Sequence, residues 1–256
     1  MRQGVAKGIG FIDEGNGPAI VFLHGMTWDR RIWQPVTARL QDGFRCVSLD
    51  LPGHGASGDL PCIADYRLDA VASRLHQFLQ TLEIERPLLV GHSLGGAIAS
   101  FCAAQFPVRG VVNLDQNLRL GPMMTAVKER QAWIRGPDFP AFWESLMQSF
   151  GLEHLPPEVC AWARSLSHPR QEIVLNYWDP LFHDEAQVFQ DYIDAALRRI
   201  EAPYLALHGA LPQSDYADWV RVRMPLAEIR EFARPCHFPH LLDPGGFAAM
   251  VRKIAV

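Results

Sequence analysis

The chain has 256 residues, 48% of them hydrophobic and 20% charged, with 24 Lys plus Arg, 28 Asp plus Glu and a net charge of −4. This composition suits a soluble globular α/β protein, offers no basic stripe for nucleic acid, and holds no apolar run of the roughly 20 residues a membrane span needs. The N-terminal MRQGVAKGIGFIDEGNGP lacks a signal-peptide core, and five cysteines (46, 62, 102, 160 and 236) are scattered without C-x-x-C spacing. Reduced thiols and a cytoplasmic location are therefore expected, with no disulfide framework and no zinc site.

In chain order, PAIVFLHG (18–25) reads as a strand ending in a glycine turn, and FRCVSLDLPG (44–53) as another. Between them Arg31 to Leu40 carries Ile32, Trp33, Val36 and Leu40 on one side of a helix. YRLDAVASRLHQFLQTLEI (66–84) is a stronger helix, with Leu68, Val71, Ala72, Leu75, Phe78, Leu79 and Leu82 at helical spacing. PLLVGHSLGGAIASF (87–101) then gives a short apolar strand, a tight turn and a helix reaching about Phe106, and GVVNLD (110–115) is a further strand. Strands alternating with helices in this way predict a mostly parallel sheet with helices on both faces.

The rhythm breaks from Asn117 to Arg199, where Pro- and Gly-separated helices carry Trp133, Trp143, Trp162 and Trp178. PYLALHG (203–209) resumes the sheet, LAEIREFA (226–233) adds a strand, and GGFAAMVRKIAV (245–256) closes with a helix. The expected organisation is one α/β core, residues 1–116 and 200–256, interrupted by a helical cap at 117–199.

Ser93 stands at the corner of G-x-S-x-G between Gly91 and Gly95, the pattern of a nucleophile elbow, where larger side chains would crowd the turn. A hydroxyl at the carboxyl end of a central strand is well placed for a ligand, but it needs a base to take its proton. His237, in RPCHFPHLLDPGGF, follows the last strand and is the preferred base, with His240 as the alternative. His92 is set aside because neighbouring side chains on an elbow point apart. The oxyanion needs two donors. The Leu94 N–H, at the start of the helix after Ser93, and the Met26 N–H, in the HGM turn, are the candidates.

Taken in order, FLHGMTWDRRIW, SLDLPGHGASG, VGHSLGG and CHFPHLLDPGGF resemble the α/β-hydrolase fold superfamily, and the resemblance spans the whole chain, with 117–199 matching as a variable cap. It implies an eight-stranded sheet with the cap after the sixth strand, a Ser-His-acid triad, and hydrolysis through an acyl-enzyme without a cofactor. Carried onto these positions it makes Ser93 the nucleophile, His237 the base, and Met26 and Leu94 the oxyanion donors. The family often has Gly before its histidine, where this chain has Cys236.

The acid usually follows the glycine ending the seventh strand, but here ALPQ follows Gly209 and Asp215 comes six residues on. Lipase and lactonase branches take their acid from the sixth strand, which favours Asp115, with Asp215 as rival. Asp50 lies in a turn that the family uses structurally, and His168, His183, Asp184 and Glu185 show no metal-ligand spacing. The expected substrate is a small apolar or aromatic ester or lactone, with Trp28, Trp33 and the cap tryptophans around it. Thioester cleavage, perhydrolysis and carbon–carbon bond hydrolysis use the same groups. A non-catalytic small-ligand receptor is the reading from another class. An epoxide hydrolase or dehalogenase would resemble an aspartate at the elbow, and Ser93 argues against both.

Overall fold

A computed structural model of the chain describes residues 1–210, 212–232 and 236–255. Its centre is an eight-stranded sheet in the order β1-β2-β4-β3-β5-β6-β7-β8. The strands are β1 (Arg2–Ala6), β2 (Ile9–Glu14), β3 (Ala19–Leu23), β4 (Arg45–Leu49), β5 (Leu88–His92), β6 (Gly110–Leu114), β7 (Tyr204–His208) and β8 (Ala227–Glu231). β1 pairs antiparallel with β2, and β2 with β4, while every pair from β4 to β8 is parallel. The apolar runs at β5, β6 and β7 are buried at every position, as strands covered by helices on both faces must be.

The helices of the core follow the apolar spacing, with shorter ends. Arg31–Leu40 resolves into a 3₁₀ turn (Arg30–Trp33), capped by Asp29, and a short α1 (Gln34–Thr37). The next helix is α2 (Leu68–Thr81), and α3 (Leu94–Ala103) springs directly from Ser93. The hairpin β1–β2 has no counterpart among the strands expected from the sequence. The predicted end of the last strand at residue 233 and the final residue, 256, lie outside the described residues.

Six helices occupy the chain between β6 and β7: α4 (Gly121–Glu129), α5 (Gln131–Arg135), α6 (Phe139–Gln148), α7 (Pro157–Ser165), α8 (Gln171–His183) and α9 (Ala186–Leu197). Prolines open α4, α6 and α7, where a fixed φ helps and a missing N–H costs nothing. After β7 come α10 (Tyr216–Arg223), α11 (Pro239–Leu242) and α12 (Pro244–Ala255). No helix among the described residues is long and apolar enough to cross a membrane.

The order β4-β3-β5 means the chain steps to one side of β3 and then to the other. Such a reversal opens a crevice at the carboxyl ends of the two strands. The HGM turn leaves β3 there, and Ser93 leaves β5 beside it.

Candidate active site

Ser93 has φ 50° and ψ −124°, a conformation that costs an L-residue about 1–3 kcal/mol and is held only by its surroundings. Its N–H donates to Leu114 O at 2.9 Å, and its carbonyl accepts Gly96 N–H at 2.7 Å. The flanking glycines are required by contact: a Cβ on Gly91 would lie 2.1 Å from Gly95 O, and one on Gly95 would lie 2.2 Å from Leu23 O. The HGM turn also packs closely, since a Cβ on Gly25 would lie 2.9 Å from His92 Nδ1 and 3.2 Å from Ser93 Cβ.

Two buried histidines shape that turn. His24 Nδ1–H donates to Gly25 O at 2.7 Å and its Nε2 accepts Leu51 N–H at 2.9 Å. His54 Nδ1–H donates to Pro52 O at 2.9 Å and its Nε2 accepts Thr27 N–H at 3.0 Å. Each ring must be neutral to accept through Nε2. Burial keeps both so, pushing His24 down to about 4 and His54 to about 3. Thr27 is thereby held at φ 72°, next to Met26. Leu94 is the first residue of α3, so its N–H has no partner within the helix.

His237 Nδ1 lies 2.6 Å from Asp115 Oδ2, which fixes the proton on Nδ1 and leaves Nε2 as the basic edge. Its backbone is gripped on both sides: the N–H donates to Phe150 O at 2.9 Å, and the carbonyl accepts His92 Nε2–H at 2.7 Å. The Phe150 ring lies over the imidazole, centroids 4.5 Å apart. Asp115, at φ 56°, also accepts Gly209 N–H on Oδ1 at 2.8 Å. Burial alone would raise its carboxyl, but His208, His237 and the Gly209 N–H together hold it far below the usual carboxylate range.

Ser93, His237, Asp115, Met26 and Leu94 all line one cavity of about 540 Å³. Trp28, Trp133, Trp143 and Trp178 also face it. Trp33 does not, contrary to expectation: the 3₁₀ turn directs it into the core between Phe22, 5.3 Å away, and His240, 4.5 Å away. Trp162 is also absent from the wall.

The rivals are placed elsewhere. Asp215 precedes α10 with its side chain 64% exposed and bonded to Arg119 at 3.0 Å. His240 is wholly buried against Trp33 and Phe247, and neither ring nitrogen has a hydrogen-bond partner among the described residues. Asp50 is buried, accepts the N–H groups of Arg30 and Ala56, and pairs with the Arg30 guanidinium, which anchors its turn. His168, His183 and Glu185 are exposed, and Asp184 faces Arg67 at 3.8 Å. Phe150, His208 and the strut from His92 have no counterpart in the sequence reading, because they are contacts between distant segments; only the histidine ending YLALHG was visible as a residue type.

A family model for the α/β hydrolase fold matches residues 18–211. The chain belongs to the α/β-hydrolase fold family. Among curated members, it is 30% identical over 249 residues to a 2-succinyl-6-hydroxy-2,4-cyclohexadiene-1-carboxylate synthase of Yersinia pseudotuberculosis, covering 92% of this chain and 86% of that one. It is 27% identical over 257 residues to a pimeloyl-[acyl-carrier protein] methyl ester esterase of Nitrosomonas europaea, covering 92% and 94%. A shorter match, 45% over 93 residues, joins it to an uncharacterised protein of Mycobacterium bovis, of which it spans only 27%. Among solved α/β-hydrolase structures, Est816, described as an N-acyl homoserine lactone degrading enzyme, superimposes with a TM-score of 0.77 at 23% identity, covering 98% of this chain and 99% of that one. Its relatives in this family include a hydrolase and an esterase.

Proposed function

We propose that the protein hydrolyses a small carboxylic ester or lactone through an acyl-enzyme, with Ser93 as nucleophile, His237 as base and Asp115 as acid. One observation carries this reading: the imidazole bonded to Asp115 at 2.6 Å faces the same cavity as a serine held at a strained corner. Met26 and Leu94 supply the oxyanion donors, and residues 117–199 act as the cap over the cavity. The esterase and lactone-degrading relatives support this chemistry.

In the first half-reaction Ser93 Oγ attacks the carbonyl carbon while His237 Nε2 takes its proton. The carbonyl oxygen becomes an oxyanion received by the two backbone N–H groups. Asp115 holds the imidazolium through Nδ1–H without itself gaining the proton. The intermediate collapses, the carbon–oxygen bond breaks, and Nε2–H protonates the departing alkoxide. Water then attacks the acyl carbon, gives its proton to Nε2, and releases the carboxylic acid as Ser93 regains its proton. The aromatic walls from Trp28, Trp143 and Trp178 favour an apolar or aromatic body on the substrate.

The test is a panel of p-nitrophenyl esters and lactones on the wild-type chain and on Ser93→Ala. Turnover by wild type, with kcat lower by about 10⁴-fold or more in the variant, is expected. Equal turnover by both proteins contradicts the serine mechanism. Ligand binding by wild type without turnover of any panel member favours the receptor reading.

A further inference from the structure

His208 ends β7, with its side chain 1% exposed and its Nδ1 3.6 Å from Asp115 Oδ1. That oxygen is the one turned away from His237, and it also accepts the Gly209 N–H. The other nitrogen, Nε2, is buried with no hydrogen-bond partner among the described residues, and the ring stands edge-on to Tyr216 at 5.1 Å. A proton on Nε2 would be an orphaned donor and would turn a bare lone pair toward a carboxylate. A proton on Nδ1 avoids both.

We infer that His208 is a positioning residue for Asp115: the Gly209 N–H bonds Oδ1 at 2.8 Å, and the His208 Nδ1–H, 3.6 Å from the same oxygen, adds an electrostatic pull on it, so that Oδ2 stays on His237. The inference rests on the triad reading above. The end of β7, which supplies the acid in most of the resembled family, here holds an acid borrowed from β6. The Nδ1–H dipole also draws charge toward Oδ1 and so limits how strongly Oδ2 stabilises the His237 imidazolium.

The other titratable neighbours are accounted for. His92 from β5 and His240 from α11 face His237 but are kept neutral by burial, His240 down to about 3. Cys236 precedes His237 in the chain and is raised by burial, then by the charges of Asp115 and of Glu153, which lies beyond α6. Phe150 faces the imidazole without charge. Tyr216 of α10 faces His208 with its phenol pushed up to about 12 by burial. Among these groups His208 is the one that faces the second carboxylate oxygen.

The experiment compares kcat and kcat/KM from about pH 5 to 9 for the full-length wild type, His208→Asn and His208→Leu. Asn keeps an N–H near the place of Nδ1, and Leu removes it. His208→Leu should lose about tenfold or more in kcat and move the acid limb of kcat/KM to higher pH, whereas His208→Asn should stay within about threefold with the limb unmoved. Wild-type behaviour in His208→Leu, or an equal loss in both variants, overturns the inference. Should His208→Leu fail to fold, ¹⁵N-histidine spectra of wild type decide, with the His208 signals assigned by their loss in His208→Asn. Nδ1 should be protonated wherever the enzyme is active, and a bare Nδ1 overturns the inference. Loss of activity in Ser93→Ala beside an unaltered His208→Leu removes only the role of His208; retained activity in Ser93→Ala removes the triad itself.

Discussion

At Asp115 the backbone turns left-handed (φ 56°), and the carboxylate leaves the end of β6 to meet the Gly209 N–H and the His237 imidazole. An aspartate tolerates this conformation better than most side chains, at a cost of about 1–2 kcal/mol. Asp115→Asn would place an amide where Nδ1–H needs an acceptor, favouring the tautomer with its proton on Nε2, which cannot serve as base. A fall of about 10³–10⁴-fold in kcat is expected. Asp215→Asn removes only an exposed pair with Arg119, a contact worth about 0–1 kcal/mol, so kcat should stay within about twofold. Steady-state assays of the two variants check this, and the reverse ranking contradicts the assignment of the acid.

Among the elements, those legible in the sequence are the ones whose signal is local. β3 and β5 to β7 are short apolar runs because both faces are covered, and Ser93 is marked by a motif only a few residues long. The hairpin β1–β2 is silent for a physical reason. β1 is an exposed edge, with only its last residue partly buried, and β2 is covered from Ile9 through Phe11 without alternation. Its turn at Lys7 and Gly8, φ 51° and 75°, lacks the usual Asn-Gly signal. The site was readable to the same depth. The proposed nucleophile, base and oxyanion turn sit in motifs, but preferring Asp115 over Asp215 as the proposed acid depends on how β6 and β7 end side by side. Phe150 reaches His237 from the segment between β6 and β7, across 87 positions of sequence (237 − 150), and no local pattern records that.

Across the whole molecule, the buried histidines tie folding to pH. Burial pushes His24 down to about 4, and His54 and His240 to about 3, whereas the same groups in the unfolded chain titrate near 6.5. Between these limits the unfolded chain binds protons that the folded one refuses. Stability is therefore complete above about pH 7 and falls on acidification, each histidine contributing up to about 1.4 kcal/mol per pH unit. Asp115 works in the same direction lower down: its carboxyl is depressed on folding, so its contribution is lost only below about pH 4. His240 gives the cleanest check, since it has no hydrogen-bond partner among the described residues to lose. Denaturant titrations of His240→Leu from about pH 7 to 4.5 should show the slope of stability against pH reduced by about one histidine's share. An unchanged slope contradicts the claim that this ring is buried neutral.

The most direct test of the serine mechanism is to quench turnover of a slowly hydrolysed ester in acid and weigh the intact and digested protein. A mass gain equal to the acyl group, confined to the peptide carrying Ser93 and missing in Ser93→Ala, is the expected result. Sustained turnover with no adduct, or with the acyl group on another residue, would contradict it.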